Sequence, residues 1–203
     1  MTVAVRADAQ QAIRISLQFG IVACFGMLAA STFAANHYSL DVVHSIPEFE
    51  FKHLGVTTQT GRFDKAHGAV VLDFAAHSGS VTYEIETASL NMGFGTESPD
   101  SAGYKLFDVV KFPKIVFRSN NLIFNRNNEV IAAKGRLTLL GITKPITVSV
   151  NHFNCSVNPM NKKEMCAGEI KAIIKRSDFG MLEYIPAVSD EINISIPVEA
   201  YKD

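Results

Sequence analysis

From Glu129 to Val150 the chain reads EVIAAKGRLTLLGITKPITVSV, and its side chains alternate in character almost without a break. Ile131, Ala133, Leu137 and Leu139 share one parity, while Lys134, Arg136 and Thr138 share the other. After Gly141 and Pro145 the pattern resumes, with Ile146, Val148 and Val150 set against Thr147, Ser149 and Asn151. Successive side chains of a strand point to opposite faces. The segment therefore predicts two strands joined by a tight connection, in a sheet with one apolar and one polar face. Such a sheet must cover its apolar face, and what covers it is the functional question.

The alternation recurs along most of the chain. Phe49 and Phe51 alternate with Glu48, Glu50 and Lys52, and Val70, Leu72 and Phe74 follow a break at Gly68. Val81, Tyr83 and Ile85 face away from Thr82, Glu84 and Glu86. Ile115 and Phe117 begin a further strand after Pro113, with Asn120 to Phe124 as its candidate extension. Ile170, Ala172 and Ile174 alternate with Glu169, Lys171 and Lys175, and Ile192, Ile194, Ile196 and Val198 alternate with polar residues near the end. Turn residues separate these segments at hairpin distances, which gives about eight strands. Only Ser98 to Val110 offers a short helix, with Pro99 at the first helical position behind Ser98, and Gly103 weakens it. The class is all-β, and an antiparallel sheet of this size forms either a sandwich or a closed barrel. Periodicity alone leaves both open.

The N-terminus bears on where the chain works. Arg6 and Arg14 precede an apolar run from Phe19 to Ala30, followed by Ser31-Thr32-Phe33-Ala34. A basic region, a short apolar region and small residues describe a secretory signal peptide over residues 1–34, cleaved after Ala34. The run is short of the roughly 20 apolar residues of a membrane span. Ile21-Val22-Ala23-Cys24 resembles a lipoprotein cleavage box, but the apolar run continues past Cys24. The domain is then residues 35–203, enough for one core. Its net charge of about −2 leaves no basic surplus for phosphates, which argues against a nucleic acid partner.

Cys155 and Cys166 are the cysteines that remain after cleavage, and they bracket the turn-rich insert SVNPMNKKEM. In an oxidising compartment the natural reading is a disulfide across this loop, contributing about 3 kcal/mol in the chain-entropy model. Two cysteines without a nearby histidine make a poor tetrahedral metal site.

Specific words in the sequence go beyond pattern. Tyr38-Ser39-Leu40-Asp41, His44-Ser45, Phe49, Phe51 and His53 resemble the opening strand of the YceI-like family. Gly61-Arg62-Phe63, Gly68, Ala88-Ser89-Leu90, Phe107-Asp108-Val109 and Lys111-Phe112-Pro113 follow in that family's order. Gly135-Arg136-Leu137-Thr138 and Gly141-Ile142-Thr143-Lys144-Pro145 resemble its most recognisable block, and Arg176-Ser177-Asp178-Phe179-Gly180-Met181 comes near the end. The likeness runs from about Asn36 to Tyr201. It implies an eight-stranded antiparallel lipocalin-like barrel with one short helix, exported to the periplasm. It also implies a long polyisoprenoid lipid, such as an isoprenoid quinone or a prenyl phosphate, in the barrel interior. One departure stands out. Where the family often carries Asp, His and Arg before Phe-Asp-Val, the segment from Thr96 to Leu106 keeps Lys105 as its one basic residue. If basic residues there hold a pyrophosphate head, this chain should prefer a neutral, quinone-like head.

The expected ligand wall is Phe49, Phe51, Val70, Leu72, Tyr83 and Ile85, continued by Phe117, Leu137, Val148, Ile174 and Ile194. An interior of this composition suits a long hydrocarbon and penalises a polar substrate. The Tyr83 hydroxyl needs a partner, either a backbone carbonyl or a ligand head. His53 has the parity of Phe49 and Phe51, which suits either an inward position near one barrel end, within reach of a quinone carbonyl, or a satisfied core or rim histidine. Asp41, His44 and Ser45 suggest a triad, but three roles within five residues of one extended segment point in different directions. His44 and Ser45 are expected instead to close backbone hydrogen bonds where the first strand begins. Arg176 near Asp178 suggests an ion pair or a turn anchor. No metal, haem or nucleophile motif accompanies these residues, so no catalytic residue is assigned and no cofactor is required. The competing readings are a filled-core interaction protein and an accessory redox module acting on a quinone, beside a membrane or a membrane cytochrome. Homodimer formation is left open.

Overall fold

A computed structural model describes residues 35–93 and 102–203. The signal-peptide reading of residues 1–34, Cys24, the Ser98-Pro99 helix start and the segment from Thr96 to Ser101 lie outside these residues. The strands are β1 (Asn36–Leu40), β2 (Glu48–His53), β3 (Thr57–Phe63), β4 (Ala66–Asp73), β5 (Ser78–Glu86) and β6 (Leu90–Asn91). They continue as β7 (Lys114–Phe124), β8 (Val130–Leu139), β9 (Ile142–Val157), β10 (Glu164–Lys175) and β11 (Glu191–Lys202). One short helix, α1 (Ala102–Phe107), sits between β6 and β7.

All pairings are antiparallel, in the order β1, β4, β5, β7, β8, β9, β10, β11. β11 then returns to β1, with Tyr38 opposite Lys202 and Leu40 opposite Ala200. This closes an eight-stranded barrel and removes the sheet edges. β2, β3 and β6 continue three of these strands beyond local breaks: β2 pairs with β11 (Phe49 opposite Ile194) and with β3 (Phe49 opposite Gly61), and β3 pairs with β6. Eleven segments thus occupy eight positions around the wall. The barrel, not the sandwich, is the solution this chain adopts.

The β8–β9 hairpin pairs Leu137 with Lys144 and Leu139 with Ile142. Leu140 and Gly141 form its turn, with φ of 51° and 74°. Two central residues at positive φ match the twist of the flanking strands, and glycine takes that conformation without steric cost. Gly61 serves a different need, because a Cβ there would collide with the Phe49 ring lying across it.

Strict parity fails in two places. In β8, Val130 and Ala133 are both buried and Ile131 is 42% exposed, because the ladder with β7 slips between Ile123 and Phe124. Ile131 therefore faces outward, contrary to the sequence expectation. A second slip between Arg118 and Asn121 lets Phe117 and Leu122 both face inward. Ser119 holds this bulge by donating to the Lys134 carbonyl at 2.7 Å and accepting the Asn121 amide at 3.0 Å. An extra residue reverses the facing of everything beyond it.

The break between β1 and β2 is locked by side chains. Ser45, 1% exposed, donates to the Glu199 carbonyl and accepts the Glu199 amide. The Asp41 carboxylate accepts the amides of Val43 and His44 and contacts His44 Nδ1 at 2.9 Å. Ser45 thus takes the backbone-closing role expected of it, while the His44 ring pairs with the Asp41 carboxylate instead of with backbone. The hydroxyl of Ser45 is engaged by backbone, so no relay runs through it.

Candidate functional site

The inward side chains of the barrel do not meet at its centre. They surround a cavity of about 530 Å³, within the range of about 300–1,000 Å³ typical of small-molecule sites. Phe49 and Phe51 reach it from β2, Val70 and Leu72 from β4, Tyr83 and Ile85 from β5. Phe117, Leu137, Val148, Ile174 and Ile194 complete the expected set from β7 to β11, and all of them line the hollow. Phe117, Val150, Ile170 and Ile194 face inward yet are only half-buried. In a filled core they would be covered by one another, so their residual exposure is exposure to the hollow.

His53 does not join them. It lies at the last position of β2, exposed, opposite Thr57 and bridged to Val188. The parity was followed, but the strand outruns the barrel wall before reaching His53. This corrects the inward placement.

The buried polar groups in the wall are already engaged. Tyr83 donates to the Ser45 carbonyl at 2.8 Å, the backbone partner rather than a ligand head. Burial raises its phenol well above the ordinary value. Tyr38, fully buried, donates to Glu164 at 2.9 Å, and burial together with that carboxylate pushes its pKa up to about 12. Lys202 holds the other oxygen of Glu164 at 2.9 Å, and with Tyr38 it holds that carboxyl below the usual carboxylate value. Arg176, 3% exposed, directs Nε to the Ser189 carbonyl, Nη1 to Met181 and Nη2 to Val188, at 3.0–3.1 Å. Its role is to anchor the chain from Met181 to Ser189, and no hydrogen bond joins it to Asp178. Asp190 instead accepts the amide and hydroxyl of Ser177, both at 2.8 Å. A wall whose buried phenols and guanidinium are spent on protein acceptors presents mostly hydrocarbon to a ligand.

Sequence reasoning missed the closing elements. Leu106 and Phe107 of α1, and Tyr184 and Val188 of the loop before β11, also line the cavity. They carry no period-two signal because they are not on strands. Outside the cavity, Asp41, His44 and Glu199 place one ligand atom each within 4.8 Å of the others. These groups already satisfy one another at the β1 break. Arg62 pairs with Asp64 at 2.7 Å on the surface, where such a pair contributes little. Cys155 and Cys166 stand directly opposite each other on β9 and β10 and form the expected disulfide. No helix among the described residues is long and apolar enough to cross a membrane.

Comparison with known proteins gives a consistent result. The YceI-like domain family model matches residues 38–200. The chain is 28% identical over 177 residues to a UPF0312 protein of Yersinia pestis, covering 85% of this chain and 90% of that protein. It is 28% identical over 187 residues to a UPF0312 protein of Serratia proteamaculans, covering 90% and 95%. Among solved structures it resembles Burkholderia cenocepacia BcnA, with TM-score 0.63 and 25% identity over 79% of this chain and 98% of that one. It also resembles a polyisoprenoid binding domain from Saccharophagus degradans implicated in plant cell wall breakdown. That likeness has TM-score 0.56 and 16% identity over 82% and 98%, and it concerns the fold.

Proposed function

The chain belongs to the YceI-like domain family, and we propose that it is a periplasmic binding and carrier protein for a long polyisoprenoid lipid held in the barrel. The observation that carries this reading is the apolar hollow whose buried polar groups are already engaged. At about 0.8 kcal/mol per buried CH₂, a single isoprene unit contributes about 4 kcal/mol before the costs of association. A filled-core interaction protein has no use for a continuous hollow. The periplasmic placement is supported by the signal-like N-terminus and by a disulfide suited to an oxidising compartment. The name of the Saccharophagus domain agrees with the ligand class. The reading is of a binder rather than an enzyme, because the Asp41 and Ser45 side chains are committed to the backbone around the β1 break and the His44 ring is paired with Asp41, not with Ser45.

The head group follows from the same logic. Lys105 is the one basic residue from Thr96 to Leu106, and the guanidinium of Arg176 is committed to three carbonyls. The preferred ligand is a neutral, quinone-like polyisoprenoid rather than a prenyl diphosphate. Equal-length quinone and diphosphate competing for the delipidated protein test this. Preferential retention of the quinone is expected, and preferential retention of the diphosphate overturns it.

A further inference from the structure

We propose that the apolar rim around the cavity mouth, formed by Leu54 and Val56 on the β2–β3 turn and Leu182, Tyr184 and Ile185 on the loop before β11, is the surface by which the barrel docks on a lipid bilayer. The inference rests on the carrier reading and adds the partner from which the lipid comes.

The mouth is located by exposure. At the far end, the lining residues Tyr38, Leu122, Val130 and Cys166 are at most 8% exposed. At the near end Tyr184 lines the cavity and is also 55% exposed, so it stands where hollow meets solvent. Val188 and Phe51 line the cavity beside it.

The two rim segments form one patch. The Leu54 amide donates to the Ala187 carbonyl at 2.6 Å, the Ser189 amide donates to Lys52 at 2.9 Å, and His53 bridges Val188. Arg176 holds the loop at Met181, Val188 and Ser189, so its tip is projected from fixed ends. On this joined rim Leu54 is 65% exposed, Val56 81% and Leu182 63%. Local stability does not account for these residues. Leu54 and Tyr184 adopt positive φ, 53° and 64°, a conformation costly for large side chains and natural to glycine or asparagine. They are thus unfavourable both in backbone conformation and in exposure to water. A clustered apolar patch marks an interaction surface, and tyrosine beside aliphatic side chains suits the boundary between head groups and acyl chains. The chemistry of the cavity selects the occupant. A ligand that is nearly all hydrocarbon resides in membranes, and a mouth seated on the bilayer spares it passage through water.

Flotation with vesicles of phosphatidylethanolamine and phosphatidylglycerol tests the proposal, using the mature protein and a Leu54→Ser, Val56→Ser, Leu182→Ser variant. These three side chains are outside the cavity lining. A second variant, Val157→Ser with Met160→Ser, removes exposed apolar residues near the far end. Quinone uptake from detergent micelles is measured in parallel, because it needs no docking. The rim variant should float at least about tenfold more weakly and take lipid from vesicles more slowly, with micelle uptake unchanged. The far-end variant should behave as the parent. Equal flotation of rim variant and parent overturns the proposal. So does a parent that ignores vesicles, which would give the rim to a protein partner. A parent that floats through its rim yet takes up no quinone from micelles sinks the carrier reading and leaves the docking surface standing.

Discussion

At Tyr83 a hydroxyl on the cavity wall is satisfied by the Ser45 carbonyl, 2.8 Å away at the β1 break. Tyr83→Phe leaves that carbonyl without this partner and should destabilise the barrel by about 1–2 kcal/mol in urea unfolding, with lipid uptake preserved. If uptake falls while stability holds, the hydroxyl serves the ligand instead. The Asp41–His44 pair makes a pH prediction. Hydrogen bonding to His44 and to the amides of Val43 and His44 holds the Asp41 carboxyl below its ordinary value. Asp41, with Glu199 nearby, raises His44 above the ordinary imidazole value. The contribution of Asp41 is present above the usual carboxylate range and lost as pH falls through its lowered pKa. That of His44 is present below the usual imidazole range and lost as pH rises through its raised pKa. Stability should therefore be greatest between the two and fall on either side. Asp41→Asn should return the His44 titration, followed by NMR, toward its ordinary value, and an unmoved titration contradicts the pairing. The sequence made the strand residues of the wall legible because inward positions recur every second residue. The inward placement of His53 failed because parity states which face a residue takes but not where the wall ends.

The β9–β10 hairpin joins Cys155 to Cys166 across directly paired positions near its turn. Replacing both cysteines by alanine should cost about 3 kcal/mol in unfolding free energy, since the crosslink acts mainly on the unfolded chain. Lipid uptake should remain, because the wall is built along the whole length of the strands. Loss of uptake without loss of stability would mean that the crosslink shapes the cavity. Strand existence was readable from alternation in β2, β4, β5 and β7 to β11, and the β8–β9 turn from its glycine, while β1, β3 and β6 gave no such signal. The bulges were not, because an extra residue in a ladder is a property of two strands together. Ile131 is the visible cost, an isoleucine of correct sequence parity turned to solvent by a slip opposite Ile123 and Phe124. The loop from Met181 to Ser189 was equally silent. Its fold is dictated by the buried Arg176 guanidinium, a partner that lies outside any local pattern.

For the molecule as a whole, the choice between sandwich and barrel depended on a likeness to a family, since periodicity is the same in both. Closure depends on β11 meeting β1, a contact between opposite ends of the domain that no local signal reports. Whether the closed barrel is hollow depends on the summed volume of inward side chains. Small residues such as Ala133, Ala167 and Ala172 leave the space that Phe49 and Phe117 do not fill. Ala172→Trp should occupy it, lowering lipid uptake more than about tenfold while changing stability by no more than about 1–3 kcal/mol. Val150→Trp, from the neighbouring strand, should do the same. Full uptake by folded tryptophan variants would place the ligand elsewhere. The most direct test of the central claim is native mass spectrometry of the mature protein, before and after exposure to an isoprenoid quinone. A stoichiometric complex of isoprenoid mass, lost in the Ala172→Trp variant, is the predicted result. Protein that carries no lipid and takes up neither quinone nor prenyl lipid would contradict it.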